Sequence, residues 1–342
     1  MPKLGTLAFG TVGVLAAAWS GGWYYGESKI RAGIDDEIAR MAQRGVAARY
    51  QSVDIGGFPF AYRGKVVEPR TEAISLIGKV QARTDWRAPW ISFETSLGDL
   101  GVINFALPEK QTVRLTPVRG GPMADIEILS TQFEGSLQRE SAGARITAEG
   151  RDIEVKATSQ VIINPLELKV ESVSIDSSAP LQEPGQIKAA ANLSGLTASE
   201  GIWGFFDPGQ RFPRDPANLS LVANADTALR DDQTLAVQSL NIEQIEANVA
   251  GVELSGDGQA VVKDHRPDGT LDLRLSGLNG FFDSAIAGGI LPEQQAALYR
   301  IMVNSFAKKG ESEGEQVFTI GFKGGMIFVN DRPTFIPTPL LP

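Results

Sequence analysis

The chain contains no cysteine and a single histidine, His265, in 342 residues. Disulfides, thiolate metal sites and a cysteine nucleophile are thereby excluded, and most histidine-based metal and triad chemistry goes with them. Clustered positive charge is missing as well. The net charge is −9, with 41 acidic against 32 basic side chains. That balance argues against nucleic acid as a partner and against a polybasic surface for anionic lipid. The absence of thiols is compatible with export to an oxidising compartment.

No catalytic, cofactor-binding or metal-binding set emerges from what remains. His265 lies between Asp264 and Arg266 and reads as an exposed turn residue. Asp35-Asp36-Glu37 and Asp231-Asp232 are neighbours in sequence, and neighbours do not converge across a cleft as paired catalytic carboxylates must. Gly256-Asp257-Gly258 has no following helix to hold an anion and reads as a hairpin turn. The chain is therefore expected not to be an enzyme. A continuous polar pocket with convergent acids would reverse that expectation.

What the chain does have is an uncharged run at residues 4–26. A helix of that length rises about 1.5 Å per residue and reaches across a hydrocarbon core of roughly 30 Å. Trp19, Trp23, Tyr24 and Tyr25 crowd its far end, where amphipathic rings settle at the headgroup level. The run is predicted to be a single-pass inner-membrane anchor, N-terminus inside, with the bulk of the chain periplasmic. The alternative is a cleaved signal peptide and a soluble periplasmic protein, since Ala16, Ala17, Ala18 and Ser20 suit a peptidase site.

Residues 27–46 form a predicted amphipathic stalk. Ile30, Ile34, Ile38 and Met41 make its stripe, Asp36 and Arg40 an i,i+4 pair, and Gly45 its stop. Next comes Gly57-Phe58-Pro59-Phe60, in which Phe58, Phe60 and Tyr62 are predicted to share one side of a strand and to pack into the core.

This order of apolar helix, short amphipathic helix and G-F-P-F motif resembles the bacterial, mainly alphaproteobacterial, domain-of-unknown-function 2125 family. The ending Gly324-Gly325-Met326-Ile327-Phe328-Val329-Asn330 with its proline-bearing tail is similar too. The resemblance implies no activity, so it carries no catalytic residues over.

Through the middle, apolar and polar residues alternate with period two, as at Ile153, Val155 and Ala157 or Leu166, Leu168 and Val170. Such alternation predicts antiparallel sheet with one wet face. The phase slips at Ser172, where a bulge is expected. A repeat links two stretches: Leu193-Ser194-Gly195-Leu196 leads to Gly204-Phe205-Phe206-Asp207, and Leu275-Ser276-Gly277-Leu278 to Gly280-Phe281-Phe282-Asp283, each behind a turn and a strand. Asp207 to Pro216 would be the joint between halves. Trp203, Phe205, Phe206 and Phe212, with Phe281 and Phe282 in the second copy, either plug the end of a sheet or form a contact patch for lipid or a partner. A helix is predicted over residues 292–309, with Leu298, Met302 and Phe306 facing a sheet and Lys308 and Lys309 at its C-terminal end.

The expected fold is mainly β, with two related curved antiparallel sheets or meanders, an N-terminal membrane helix and one or two helices on the sheets. The divisions are 1–26, 27–46, 47–207 and 208–342, the last two forming one continuous unit. The expected function is a non-enzymatic binding or envelope-maintenance protein, with lipid handling as one specific version; the alternatives are an interaction scaffold for an envelope complex and, third, an enzyme with an unrecognised polar site.

Overall fold

The computed structural model describes residues 4–338 apart from 44, 78–79, 141–142, 160–161, 181–183, 207–209, 211, 230–234 and 264. Of residues 4–22, 75–77, 80, 162–165, 204–206, 229 and 235 only the backbone is described. Strand makes up 63% and helix 17%, the strand pairings among the described residues are antiparallel, and the sheet does not close, so the mainly-β expectation holds. The chain divides into two compact units, Met1–Gln138 with Ala157–Ile163, and Arg139–Lys156 with Asn164–Pro342. The proline-rich stretch near residue 207 falls within the second of these units.

In the first unit, α1 (Leu4–Gln43) is one unbroken helix, so the apolar run and the stalk are continuous. Gly45 ends it at φ 81°. The stripe holds: Ile30, Ile34, Ile38 and Met41 are half-buried while the residues between them are mostly exposed. Arg40 pairs with Glu37 at 2.7 Å rather than with Asp36. Then follow β1 (Ala47–Arg49), β2 (Ser52–Gly56), β3 (Ala61–Val67), β4 (Arg70–Ile77), β5 (Val80–Arg87), β6 (Trp90–Ser96), β7 (Asp99–Ala106), β8 (Lys110–Pro117), β9 (Ala124–Leu129) and β10 (Gln132–Glu140); β11 (Gly143–Ser159) and β12 (Ile162–Pro180) come next, with most of each in the second unit.

The pairing shows that consecutive strands are halves of longer ones. Val67 stands opposite Trp90 and Arg70 opposite Arg87, so β3–β4 and β5–β6 form one hairpin interrupted at its middle. Pro69 and Pro89 sit at that interruption, and Pro108 occupies the matching place in β7–β8. A proline has no N–H to give the ladder, so the strand bends where one stands. The bends are bridged: the Glu68 N–H donates to the Pro89 carbonyl at 2.9 Å and the Ala88 N–H to that of Pro69 at 3.2 Å.

Two features lock this unit. Asp85, 8% exposed, accepts paired bonds from Arg70 (2.9 and 2.6 Å) and Arg87 (3.1 and 2.6 Å). The Arg87 bonds, followed by those of Arg70, outweigh burial and hold its carboxyl down at about 2. Phe93 lies across Gly64, where an added Cβ would come 1.9 Å from the ring, which is why a strand interior carries a glycine there.

The second unit continues with β13 (Gln186–Ala198), α2 (Glu200–Phe206), β14 (Ala217–Leu229), β15 (Leu235–Val249), β16 (Val252–Lys263), β17 (Arg266–Ser276), α3 (Leu278–Ala287), α4 (Glu293–Phe306), β18 (Lys308–Lys309), β19 (Gln316–Lys323), β20 (Met326–Val329) and β21 (Arg332–Pro337). The repeat is visible here. Each copy has a left-handed glycine, Gly195 at φ 67° within β13 and Gly277 at φ 80° just after β17, and then a helix that carries the Gly-Phe-Phe. A Cβ on Gly277 would lie 2.0 Å from the Gly251 carbonyl oxygen.

Several local expectations move. The slip expected at Ser172 falls one strand later: β12 keeps one register with β13 on both sides of it, and the shift lies between Leu193 and Leu196 against β14. Gly256 and Gly258 lie inside β16 rather than in a turn, because a Cβ there would meet the Asp272 and Thr270 carbonyl oxygens at 2.5 and 2.6 Å. The turn before β17 is at His265, φ 62°, and Arg266 to Gly269 already pair with β16. The helix near 292–309 ends at Phe306; Lys308 and Lys309 pair with β19 instead. Its buried contact is Ala296, with Arg300 and Val303 half-buried, whereas Leu298 and Met302 are 56% and 48% exposed. Small Ala296 lets that face approach closely, and the larger apolar residues are left outward.

Candidate functional site: an amphipathic sheet and an aromatic tip

Residues directly opposite in an antiparallel ladder project from the same face, so the register of the second unit can be read as rows. Ile175, Ala191, Leu221, Ile245, Gly256, Leu273 and Phe318 form one row across seven strands, and Val173, Leu193, Leu219, Ala247, Leu254 and Leu275 the next. A further row carries Ile187, Ala225, Leu240, Ala260 and Gly269. This face is apolar throughout. Ile175, Leu219, Leu221 and Leu240 are nevertheless 37–43% exposed, although each of the three leucines is flanked by a paired strand on both sides.

The opposite face has the contrary chemistry. Asn192, Ser220, Glu246, Ser255 and Arg274 form a polar row, and they line a groove of about 560 Å³. Its side chains bond across strands: Ser220 donates to Asn192 at 2.7 Å, and Ser276 to Glu253 at 3.2 Å. Glu315, also on the groove, accepts the Glu311 and Ser312 backbone N–H groups. Among the described residues no three acids or histidines cluster to hold a metal ion.

In the first unit the aromatic residues separate into two environments. Trp23 is 5% exposed, donates its indole N–H to the Ala61 carbonyl at 3.0 Å and stacks on Tyr62 at 5.4 Å. It is a core residue, and the assignment of Trp23 to a lipid-facing belt is corrected: the helix turns that ring onto β3, where its N–H finds a partner. Tyr24 and Tyr25 stay 65% exposed each. The Trp19 side chain lies outside the described residues.

The G-F-P-F motif is the turn of the β2–β3 hairpin rather than a strand. Gly57 adopts φ 98° and its carbonyl accepts the Phe60 and Ala61 N–H groups at 3.3 and 3.1 Å. Period-two alternation therefore stops at the turn. Tyr62 is buried at 3%, while Phe58 and Phe60 stand 50% and 74% exposed. Phe58 keeps an edge contact to Trp23 at 5.8 Å.

The repeat aromatics pack in part. Phe212 is buried against Phe281 at 4.8 Å, Arg214 lies 4.3 Å over the half-buried Trp203, and Arg300 lies 5.7 Å over Phe282. Phe281 remains 37% exposed. The side chains of Phe205 and Phe206 lie outside the described residues, as do Asp231 and Asp232. His265 is exposed in its turn.

A bacterial family described as "Uncharacterized protein conserved in bacteria (DUF2125)" matches residues 23–334. The chain belongs to this family. The family match opens on Trp23, the core indole, and includes the hairpin tip and the whole amphipathic sheet. Comparison with curated proteins finds no match. Among the described residues no helix is long and apolar enough to cross a membrane; the side chains of residues 4–22 lie outside them.

Sequence reasoning missed the polar row and the proline bends. Pro69, Pro89 and Pro108 recur about twenty residues apart, a period that signals kinked strands of constant length. The row needed the register, which no single strand carries.

Proposed function

We propose that this DUF2125 protein is a membrane-anchored, non-enzymatic envelope protein whose second unit receives acyl chains on its apolar face. One observation carries the reading: the registered rows through Leu219, Leu221 and Ile175 leave large aliphatic side chains 39–43% exposed on a broad sheet. Apolar area left in water forgoes roughly 25 cal/mol per Å², and a surface of parallel aliphatic rows matches an extended hydrocarbon chain better than a flat protein epitope. The anchor rests on the uncharged run at residues 4–26, which would keep that face close to its lipid source. The location is the inner membrane with the bulk periplasmic, or a soluble periplasmic protein if the run is removed.

Because an anchored protein always carries lipid, the test must distinguish the two faces. A chain without cysteine allows a benzophenone label on Leu221→Cys or, one residue away on the polar face, on Ser220→Cys. Irradiation in cells should yield lipid adducts at position 221 and few at 220. Equal or absent adducts at 221 would end the lipid reading.

A second reading, an interaction scaffold, is favoured by the outward stripe of α4, where Leu298, Ile301 and Met302 are 48–65% exposed. Crosslinking from Ile301 in cells should then recover one defined envelope protein. An enzyme in the polar groove is the weakest reading, since Glu253 and Glu315 are already engaged by Ser276 and by backbone N–H groups.

A further inference from the structure

We propose that the β2–β3 hairpin tip, Phe58-Pro59-Phe60, seats in the headgroup layer of the bilayer beside Tyr24 and Tyr25, giving the first unit a second membrane contact besides α1. This rests on the anchor reading above. Trp23 is the hub: Phe58 meets its edge at 5.8 Å and Tyr24 at 5.4 Å. The exposed rings therefore surround a residue inside the last turn of the uncharged run, which ends at Gly26. At about 1.5 Å of rise per residue, Trp23 lies about 5 Å from that end, which is the depth of an aromatic belt.

The tip is held at this height. A Cβ on Gly26 would come 1.9 Å from the Tyr62 hydroxyl, and that hydroxyl donates to the Trp23 carbonyl at 3.2 Å, so helix and hairpin dock as one piece. The adjoining β6–β7 turn adds to the patch. Leu97 donates its N–H to the Phe60 carbonyl at 3.0 Å, and Leu100 beyond it is 60% exposed. Charge begins directly behind the rings with Glu27, which is paired with Arg31 at 2.9 Å; the Lys29 ammonium lies 5.4 Å over the Tyr25 ring, where a cation faces lipid phosphates. Phenylalanines at a turn in water are unfavourable in a soluble surface, and insertion of a tip with no charge removes that cost.

The full chain carries one label when Phe60→Cys is modified with an environment-sensitive fluorophore, and Ile74→Cys, 66% exposed at the far end of the β3–β4 strand, is the control. Both are reconstituted into vesicles of phosphatidylethanolamine and phosphatidylglycerol doped with brominated phosphatidylcholine, and flotation is read alongside. The expected result is blue-shifted emission and several-fold stronger bromine quenching at position 60 than at 74. Leu100→Cys should behave like position 60, which covers the case in which Phe60→Cys fails to fold. A chain that floats with vesicles while positions 60 and 100 are quenched no more than 74 overturns the tip proposal and leaves the anchor standing. A chain that stays in the soluble fraction overturns both.

Discussion

In the first unit α1 lies over β3, and the residues beneath it are sealed: Tyr62 and Val53 are 3% and 7% exposed, and Trp23 fills the space between helix and hairpin. The second unit alternates its apolar residues as regularly, yet Leu219 and Leu221 keep 42% and 39% of their surface in contact with solvent. The sequence pattern is the same in kind, and the difference lies in the cover. α1 is long enough to lay four stripe residues on its sheet, whereas α4 buries only Ala296 and turns Leu298, Ile301 and Met302 outward. Alternation assigns a face and leaves open what, if anything, lies on it.

That contrast can be broken by substitution. The largest effect is expected for Trp23→Ala, which removes a buried indole and its bond to Ala61 and should cost about 3–5 kcal/mol. Denaturant titration of the detergent-solubilised chain, followed by probes in each unit, should show the loss in the first unit. Asp85 provides an intermediate effect with a defined pH dependence. Its carboxyl titrates at about 2, below the ordinary 3.8, so its contribution is complete above that ordinary value and is lost as pH falls from about 4 towards 2. The lowering corresponds to about 2 kcal/mol. Asp85→Asn should remove that stability at neutral pH and flatten the acid limb of the unfolding curve.

Gly256→Ala should cost about 1–3 kcal/mol, because the new methyl would meet the Asp272 carbonyl, a backbone atom that cannot move aside. Thermal unfolding measures it and asks whether the uncovered sheet is packed tightly in its own plane. The smallest effect belongs to the double variant Leu219→Ser, Leu221→Ser, whose side chains already face water: about 1 kcal/mol or less, with loss of lipid adducts at position 221's neighbours on the same face. A loss as large as that of Trp23→Ala would mean that the two faces are equally covered, and the comparison would fail.

Local chemistry made much of the fold legible. Ile30, Ile34, Ile38 and Met41 announced the face of α1 and Gly45 its end, and the paired Leu-Ser-Gly-Leu motifs marked the two stretches in which a strand leads into a short helix. The G-F-P-F motif reads from the sequence as strand, with its rings inward, because period-two counting runs through a turn in which it has no meaning. The prolines at 69, 89 and 108 went unread, since a bend and a strand end look alike until the partner strand is placed.

By itself the sequence determined the uncharged run, the antiparallel alternation, the absence of thiol and histidine chemistry, and the repeat, because each follows from side-chain type and spacing along the chain. Only the tertiary structure decided that Trp23 belongs to the core, that Phe58 and Phe60 stand out beside Tyr24 and Tyr25, and that Leu219 and Leu221 are uncovered. Exposure is a property of neighbours brought from elsewhere in the chain, and register, which places those neighbours, is set by long-range pairing rather than by any single strand.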